Sequence, residues 1–265
     1  MMKFSCCIEM IYLEYDFLER IRKAKEDGFA YFEFWNWDNK DIPAIKRVME
    51  ETGMKLAAFQ GNSEGRMCDA LDAEIYLEGV KKGIAVAKEL HAENMFLMSD
   101  IMQEDRSVKP FDRPVTEEEK RQASLAMLKK IASLVEEAGI TAVIEPLNTI
   151  VDHSGYSLCH TEPAVELLKE VGSPNIKLLY DAYHMQIMEG NICDTIKKYS
   201  PYFGHFHIAD VPGRCEPGTG ELNYTNILKT LKETGYDRLC GFECTPVGGS
   251  SSEVMRALLK EYGKI

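Results

Sequence analysis

The sequence contains no long uninterrupted apolar stretch. No segment approaches the ~18 consecutive uncharged apolar residues that a membrane-spanning helix requires. Residues 1–11 also lack the pattern of a secretory signal peptide, in which a basic region precedes an apolar run and a cleavage site. These absences predict a cytoplasmic protein that has no membrane partner.

Basic residues are scarce relative to acidic ones. Lys and Arg together number 31 against 43 Asp and Glu, which gives a formal net charge of −12. Proteins that bind nucleic acid or an anionic membrane surface draw on an excess of Lys and Arg, so the sequence predicts neither partner. A small anionic substrate remains compatible, because one local arginine can outweigh a diffuse, screened negative field.

Cysteine pairs of the kind that bind zinc are also missing. The eight cysteines are scattered along the chain, and the spacing of Cys240 and Cys244 differs from the C-x2-C pattern of zinc sites. We therefore expect free thiols, as is usual for a cytoplasmic protein.

Linkers and low-complexity segments are absent as well. Instead, short apolar runs alternate with amphipathic helical stretches along all 265 residues. The predicted strands are residues 4–8, 31–34, 55–59, 94–98, 142–145, 177–180, 204–208 and 239–243. Eight strand–helix units predict a parallel sheet. Their number in a chain of this length favours one α/β domain, residues 1–265, folded as a closed (β/α)8 TIM barrel, with an open doubly wound sheet as the alternative.

The helical stretches carry boundary signals of their own. Thr116 and Glu119 have the spacing of a capping box, which predicts the start of a long helix that reaches Gly139. Pro163 lies near the start of another helix, where its missing N–H is tolerated.

Four consecutive predicted strands end in residues of the types that bind metal ions, namely Glu145, Asp181, His207 and Glu243. In a TIM barrel the C-terminal ends of the strands form the face that carries the active site. A carboxylate after a run of apolar residues is unfavourable to bury unless it is paired, protonated or bound to a cation. A single such carboxylate could form an ion pair, whereas three carboxylates and a histidine on neighbouring strands predict a shared metal site.

The alternation of side chains along a strand predicts what lies below this site. Val143, Leu179 and Gly241 share the inward face with the candidate ligands, and they are small or apolar, as a filled barrel core requires. His205 shares the face of His207 but lies deeper. We interpret His205 as a hydrogen-bonded histidine of the core rather than a ligand.

Three carboxylates and one imidazole form a mostly hard set of ligands. This set favours Mn²⁺ or Mg²⁺, with Co²⁺, Fe²⁺ and Zn²⁺ as alternatives. If each side chain binds through one atom, a six-coordinate ion keeps two positions for adjacent oxygens of an α-hydroxy carbonyl compound. Such an ion polarises the carbonyl group and stabilises an enediolate. The predicted partner is therefore a small hydroxy-carbonyl compound or sugar.

Three segments resemble those of a known family. They read Ile-Glu145-Pro-Leu-Asn148-Thr, Tyr-Asp181-Ala-Tyr-His184-Met-Gln-Ile-Met-Glu-Gly and His205-Phe-His207-Ile-Ala-Asp210-Val-Pro-Gly-Arg214, and the last is followed by Glu-Pro-Gly-Thr-Gly-Glu-Leu-Asn-Tyr224. These motifs resemble the hydroxypyruvate isomerases and, more broadly, the xylose isomerase-like barrels that include the ketose 3-epimerases. The resemblance is dense from Glu145 to Glu243 and thinner before it.

The resemblance implies a role for each matching residue. It assigns four metal ligands, namely Glu145, Asp181, His207 and Glu243. Glu145 and Glu243 would also be catalytic and would exchange protons with the substrate from opposite sides. His184 and Arg214 would bind substrate oxygens, whereas Asn148 is either a further substrate-binding residue or a residue that forms hydrogen bonds within its loop. The chemistry agrees for the two Glu residues, since a general base must reach a polarised C–H bond.

Two positions depart from the pattern of hydroxypyruvate isomerases. Cys215 stands where those enzymes usually have His, and Thr245 stands where a Lys is usual. Arg214 then remains the one basic residue placed at that end of the site. We therefore expect weaker activity on hydroxypyruvate than on a neutral ketose.

Weaker candidates lie on the same rim. Trp35 and Trp37 follow the second predicted strand and either form the wall of a sugar pocket or pack at the rim. Arg66 and Asp100 are further rim residues. The Gly-rich segment 213–220 lacks a phosphate-binding motif, and we interpret it as a tight loop.

Several related activities fit these residues. The principal hypothesis is a metal-dependent isomerase of the aldose–ketose type, and the alternative is a ketose 3-epimerase, which shares the enediolate. A polyol dehydratase and a non-catalytic sugar-binding barrel are less favoured. DNA-repair endonucleases use related barrels, but they need more metal ligands and a basic face, which six histidines and a charge of −12 do not supply. The oligomeric state is left open, a homo-oligomer included.

Overall fold

The computed structural model describes residues 2–265, and its eight strands form a closed parallel barrel in the order of the sequence. The strands are β1 (Lys3–Cys7), β2 (Tyr31–Asn36), β3 (Lys55–Gln60), β4 (Asn94–Leu97), β5 (Thr141–Ile144), β6 (Ile176–Asp181), β7 (Phe203–Ile208) and β8 (Leu239–Phe242). Strand β8 closes the barrel by pairing with β1, where Phe4 lies opposite Cys240. The predicted (β/α)8 TIM barrel is confirmed, and the open doubly wound alternative is wrong.

Helices follow every strand. Within residues 2–265 they are α1 (Phe17–Glu26), α2 (Ile42–Thr52), α3 (Ala73–Leu90), α4 (Glu117–Ala138), α5 (Thr161–Val171), α6 (Ala182–Met188), α7 (Ile192–Tyr199), α8 (Tyr224–Glu233) and α9 (Ser251–Tyr262). Strand β6 is followed by two helices, and the short α6 begins directly after Asp181. Helix α6 therefore carries residues of the barrel rim rather than of the outer layer alone.

Local sequence sets the ends of the helices. The predicted capping box is present at α4, where the Thr116 hydroxyl accepts from the Glu119 backbone N–H and the Glu119 carboxylate accepts from the backbone N–H of Thr116. The same helix ends at Gly139, whose φ of 68° lies in the left-handed region that favours glycine. A second capping box, formed by Ser250 and Glu253, starts α9.

The interior of the barrel has an apolar side and a polar side. Ala58, Phe96, Val143 and Leu179 pack together on β3 to β6, which confirms the predicted apolar positions of Val143 and Leu179. The other side is formed by β1, β2, β7 and β8, and its inward polar residues are Ser5, Glu33, His205 and His207. Gly241 of β8 lies next to them and leaves space for Glu33. This polar side lies beneath the strand ends that the sequence singles out.

Long segments after β3 and β4 rise above the C-terminal face of the barrel. Residues 61–72 and 98–116 separate these strands from the helices that follow, and both contribute to the wall of a large cavity. All eight cysteines are free, as predicted. None of the helices that the structure describes combines the length and apolar character needed to cross a membrane.

Candidate metal centre and active site

The four side chains predicted to bind a metal converge at the C-terminal end of the barrel. One oxygen from each of Glu145, Asp181 and Glu243 and a ring nitrogen of His207 all lie within 4.8 Å of one another. All four residues are buried. Glu145 and Glu243 lie one residue beyond β5 and β8. Asp181 is the last residue of β6, and His207 is the second-last residue of β7. These four residues are far apart in the sequence, and they meet because consecutive parallel strands end on one face of the barrel.

Asp181 presents one carboxylate oxygen to this group and uses the other locally. Its Oδ1 accepts the backbone N–H of Tyr183 at 2.8 Å and that of His184 at 3.4 Å, which caps α6. Its Oδ2 accepts from Arg214 Nη2 at 3.1 Å. The cap fixes the orientation of the carboxylate and leaves Oδ2 facing the centre of the group.

Glu243 and Glu145 have different surroundings although both are buried. Glu243 accepts hydrogen bonds from Trp35 Nε1 at 2.7 Å and from the Arg214 guanidinium, and its Oε2 lies 3.1 Å from His207 Nδ1. Glu145 Oε1 lies 3.7 Å from the same nitrogen and has no hydrogen-bond partner in the described residues. One carboxylate is therefore held on both oxygens, and the other is not.

These surroundings separate the pKa values of the two carboxyl groups. Burial raises the pKa of Glu145 to about 7, since the nearby carboxylates of Glu243 and Asp181 add repulsion and His207 only partly opposes it. Burial also raises the pKa of Glu243, but the charges of His207 and Arg214 outweigh it and bring the value to about 2. Without a cation, a proton therefore resides on Glu145 more readily than on Glu243.

The geometry of the group fits a divalent cation. Glu145 Oε1 and His207 Nδ1 are buried without a hydrogen-bond partner in residues 2–265, an arrangement that is unfavourable unless another ligand is bound. Arg214 balances one of the three carboxylate charges, because its guanidinium contacts Asp181 and Glu243. A divalent cation would balance the remaining two. Three carboxylate oxygens and one imidazole nitrogen are ligands that divalent cations bind in proteins.

The ring of His184 is oriented towards the cavity with a defined tautomer. Its Nδ1 accepts from the backbone N–H of Asn148 at 3.2 Å and lies 2.7 Å from the side-chain Nδ2 of Asn148. Burial and the charge of Arg214 lower the pKa of His184, so the ring is neutral and carries its proton on Nε2. That nitrogen has no hydrogen-bond partner in the described residues, and His184 lines the cavity. His184 is thus able to donate to a substrate oxygen.

Asn148 lies behind His184 rather than on the cavity surface. It is fully buried, and its Nδ2 also lies 2.8 Å from Asp152 Oδ2, to which it donates. Its Oδ1 accepts the backbone N–H groups of Val151 and Asp152 at 3.0 Å. Of the two readings of Asn148, these contacts fit hydrogen bonding within the loop and support of His184, and they leave no free amide group for a substrate.

Arg214 lines the cavity next to the four candidate ligands. Its guanidinium carbon lies 5.2 Å from the centre of the Tyr183 ring, and its Nε has no partner in residues 2–265. Its φ of 55° is rare for a residue other than glycine. The guanidinium thus lies beside the candidate ligands on the cavity wall, and its buried Nε–H is unpaired within the described residues.

The cavity above the group has a volume of about 800 Å³. Its wall contains Glu145, Glu243, His184 and Arg214, together with residues that the sequence placed only as rim candidates or not at all, namely Trp35, Arg66, Asp100, Arg106, Lys109 and His153. The signal for Trp35 was its position at the end of a strand. Arg106, Lys109 and His153 lie in loops without a recognisable motif, so sequence reasoning missed them.

Two sequence departures lie outside this wall. Cys215 and Thr245 form a β-bridge with each other, and Thr245 donates its backbone N–H to Arg214 O at 2.9 Å. Thr245 is exposed, and neither residue lines the cavity. The two residues support the backbone of Arg214, and the Thr245 side chain itself does not line the cavity.

The Gly-rich segment 213–220 is a tight loop, as interpreted from the sequence. Its backbone is bound by the buried Asp210, whose Oδ2 accepts from Gly218 N at 2.8 Å and Gly220 N at 3.0 Å. These N–H groups are therefore not available to hold a phosphate.

Comparison with known proteins agrees with the fold. The sequence model of the xylose isomerase-like TIM barrel family matches residues 21–261. Hydroxypyruvate isomerase of Escherichia coli (strain K12) is 32% identical over 93% of this chain and 94% of its own length. The 2-oxo-tetronate isomerase of Cupriavidus necator is 29% identical over 95% of this chain and 96% of its own length. A crystal structure described as AP endonuclease, family 2, from Brucella melitensis superposes with a TM-score of 0.88 and 28% identity over 99% of both chains.

These similarities identify the class of the protein. Relatives that match nearly the whole chain are isomerases, and the chain is an enzyme of the isomerase class. This class is at odds with the less favoured hypotheses of a polyol dehydratase and a non-catalytic sugar-binding barrel. Since the family model covers most of the sequence and a relative is 32% identical over nearly all of it, the chain belongs to the xylose isomerase-like TIM barrel family.

Proposed function

We propose that this isomerase moves a proton between adjacent carbons of a small hydroxy-carbonyl compound, with Glu145 and Glu243 as the groups that carry the proton. The observation that supports this proposal is the convergence of these two buried carboxylates with Asp181 and His207 at the open end of the barrel. Hydroxypyruvate, the substrate named for a relative that is 32% identical, belongs to this class of compound.

Glu145, Asp181, His207 and Glu243 would hold one divalent cation, which we propose to be Mn²⁺ or Mg²⁺. When bound, the cation would polarise the substrate carbonyl group and stabilise the negative charge that an enediolate carries. The buried atoms without partners on Glu145 and His207 support this assignment.

The chemistry of the chain's own residues is proton transfer. One glutamate removes the proton from the carbon that bears the hydroxyl group, and in an isomerisation a proton is then delivered to the neighbouring carbonyl carbon. The hydroxyl proton moves to the former carbonyl oxygen, so that atoms and charge balance. General acid–base catalysis of this kind is efficient when the donor and acceptor lie within hydrogen-bond reach of the reacting carbon.

His184 and Arg214 would hold the oxygens of the substrate. His184 contributes a neutral Nε2–H donor, and Arg214 contributes a guanidinium whose Nε is free. Both lie on the cavity wall beside the two glutamates. Because fixed donors lose little freedom on binding, they favour the geometry in which the reacting C–H bond faces a carboxylate.

A ketose 3-epimerase is the second candidate. A 3-epimerisation uses the same enediolate but returns a proton to the same carbon from the opposite face. The cavity volume of about 800 Å³ favours this alternative, since it lies in the upper range for small-molecule sites and leaves room beyond a three-carbon acid.

Other expectations from the sequence stay predictions. They are a single domain over residues 1–265, a cytoplasmic location, the absence of nucleic-acid and membrane partners, and a homo-oligomer.

A panel of substrates assayed in D₂O tests the proposal. Hydroxypyruvate, ribulose, fructose and tagatose are incubated with the Mn²⁺-loaded enzyme, and the products are analysed by NMR. We expect one panel member to be converted, with deuterium from the solvent in the product. An isomerase places the deuterium at the former carbonyl carbon, whereas a 3-epimerase places it at the inverted C3. Conversion that leaves only the substrate's own hydrogen there after many turnovers indicates a hydride shift and contradicts the proposal.

A further inference from the structure

Glu33 is a buried carboxylate in the middle of β2 that the proposed reaction does not use. It is 2% exposed and lies on the polar side of the barrel interior, beneath the four candidate ligands. Its Oε2 lies 2.8 Å from His207 Nε2, and its Oε1 lies 3.0 Å from His205 Nε2. The hydroxyl of Ser5 also donates to Oε1. One carboxylate therefore receives three hydrogen bonds from two other strands.

The barrel leaves space for this carboxylate at one glycine. A Cβ atom on Gly241 of β8 would lie 2.1 Å from Glu33 Oε1 and 3.0 Å from the Cδ2 atom of His207. No side chain fits at that position while Glu33 and His207 keep their places. Strands β1, β2, β7 and β8 are thus matched to each other around Glu33.

The contact with Glu33 decides which nitrogen of His207 faces the metal site. An ionised carboxylate only accepts hydrogen bonds, so His207 Nε2 must carry a proton to bond with it. In the neutral ring, which is the form that can bind a cation, the lone pair is then on Nδ1. This Nδ1 lies 3.1 Å from Glu243 Oε2 and 3.7 Å from Glu145 Oε1, and it has no hydrogen-bond partner in residues 2–265.

We propose that Glu33 is a positioning residue for the metal site proposed above: it holds His207 as the Nε2–H tautomer, with Nδ1 directed to the cation. Ser5 and His205 keep Glu33 in place through their own donors. Carboxylates that accept the second N–H of a metal-binding histidine fix its orientation and raise its basicity, and their loss lowers metal affinity roughly 10- to 100-fold.

Calorimetric titration of the metal-free full-length protein with Mn²⁺ gives the first test. In Glu33→Gln the amide oxygen accepts from only one of the two histidines, so we expect a Kd for Mn²⁺ roughly 10- to 100-fold above that of the wild type. Glu216→Gln is the matched control. Glu216 is a buried carboxylate that ties loop N–H groups of Val247 and Gly248 and does not contact His207. Equal losses in both variants, or an unchanged Kd in Glu33→Gln, would overturn the proposal.

A second measurement uses the wild type and stands even if Glu33→Gln does not fold. The Zn²⁺-loaded protein, labelled with ¹⁵N-histidine, is examined by NMR, since Zn²⁺ is diamagnetic. We expect a proton bound to Nε2 of His207 and none on Nδ1. A proton on Nδ1 with the metal on Nε2 would refute the role of Glu33. If the wild type binds no divalent cation, the proposed metal-dependent function itself fails, which distinguishes the two results.

Discussion

Trp35 Nε1 donates a hydrogen bond to Glu243 Oε1 at 2.7 Å, and this bond joins β2 to the end of β8. It holds one oxygen of Glu243 while Arg214 holds the other. A hydrogen bond to a charged group contributes about 1.5–3 kcal/mol. If that energy positions Glu243 for proton transfer, Trp35→Phe should lower kcat roughly 10- to 150-fold with a smaller change in KM.

Trp37 provides the control for this prediction. It lies two residues further along, and its Nε1 donates to Gly61 O at 3.4 Å instead of to a carboxylate. Trp37→Phe should therefore leave kcat within about 2-fold, since a weak neutral hydrogen bond contributes little. Equal kcat losses in the two variants would show that the tryptophans act through packing and not through Glu243.

Removing the charge of either glutamate should remove most turnover. Glu145→Gln and Glu243→Gln each lose a proton carrier, and we expect kcat to fall by about 10²- to 10⁴-fold. Metal content must be measured on the same samples, because each change also removes a candidate ligand. Glu64→Gln is the control, since Glu64 is exposed on the cavity wall and lies outside the cluster. A variant that retains its metal and a near-normal kcat would exclude that glutamate as a proton carrier.

Activity should depend on a divalent cation. Dialysis against EDTA should abolish turnover, and Mn²⁺ or Mg²⁺ should restore it. At 100 times Kd, a ligand that binds only the folded protein adds about 2.7 kcal/mol of stability, which corresponds to an increase in Tm of roughly 5–10 °C for a chain of this size. Asp181→Asn should abolish most of this increase. Full activity in a sample shown to be free of metal would contradict the prediction.

The four converging side chains could be predicted because each one leaves a local signal. A charged or imidazole group directly after an apolar strand is visible in the sequence, and the barrel fold brings consecutive strand ends together. The role of Glu33 could not be predicted in the same way. Its position inside an apolar strand is visible, but its partner His205 lies 172 residues away. Contacts across the barrel depend on which inward-facing residues lie at the same height along the barrel axis, and the sequence does not show this.

The loops after the strands were harder to predict than the strands themselves. Asn148 was left between two interpretations because its partner His184 lies 36 residues away on another element. Arg106 and Lys109 lie in residues 98–116, where neither periodicity nor a motif indicates which side chains face the cavity. The sequence therefore predicted the reacting end of the site better than the end that selects the substrate.

The free energy of unfolding of the metal-free protein should fall as the pH rises, because Glu145 loses its proton. Burial raises the pKa of Glu145 from its ordinary value of 4.5 to about 7 in the folded state. The folded protein then holds a proton that the unfolded chain releases between these values, so stability falls across this window. Relative to Glu145→Gln, the wild type in EDTA should become less stable by on the order of 2 kcal/mol between pH 5 and pH 8. Urea unfolding at each pH measures this, and a constant difference between the two proteins would contradict it.

Preference for an acidic substrate should depend on Lys109 rather than on position 245. The sequence-based expectation of weak activity on hydroxypyruvate assumed that Thr245 faces the substrate, but Thr245 is exposed outside the cavity wall. The expectation of weak activity on hydroxypyruvate stays a prediction. Arg66 and Arg106 also lie on the wall, but Arg66 donates to the carbonyl groups of Lys109 and Pro110, and Arg106 Nη1 lies 3.9 Å from Asp152.

Lys109 is the basic residue of the wall that forms no ion pair within the described residues. A single exposed charge pair contributes at most about 1 kcal/mol to binding, so Lys109→Met should raise KM for hydroxypyruvate by up to about 5-fold. The KM for a neutral ketose should stay unchanged, because such a substrate has no carboxylate that could form an ion pair with Lys109. Thr245→Lys should not shift the preference of the enzyme towards the acid. If it does, position 245 reaches the substrate and the carboxylate lies on the β8 side of the cavity; if Lys109→Met changes both KM values equally, the lysine acts on the loop and not on substrate charge.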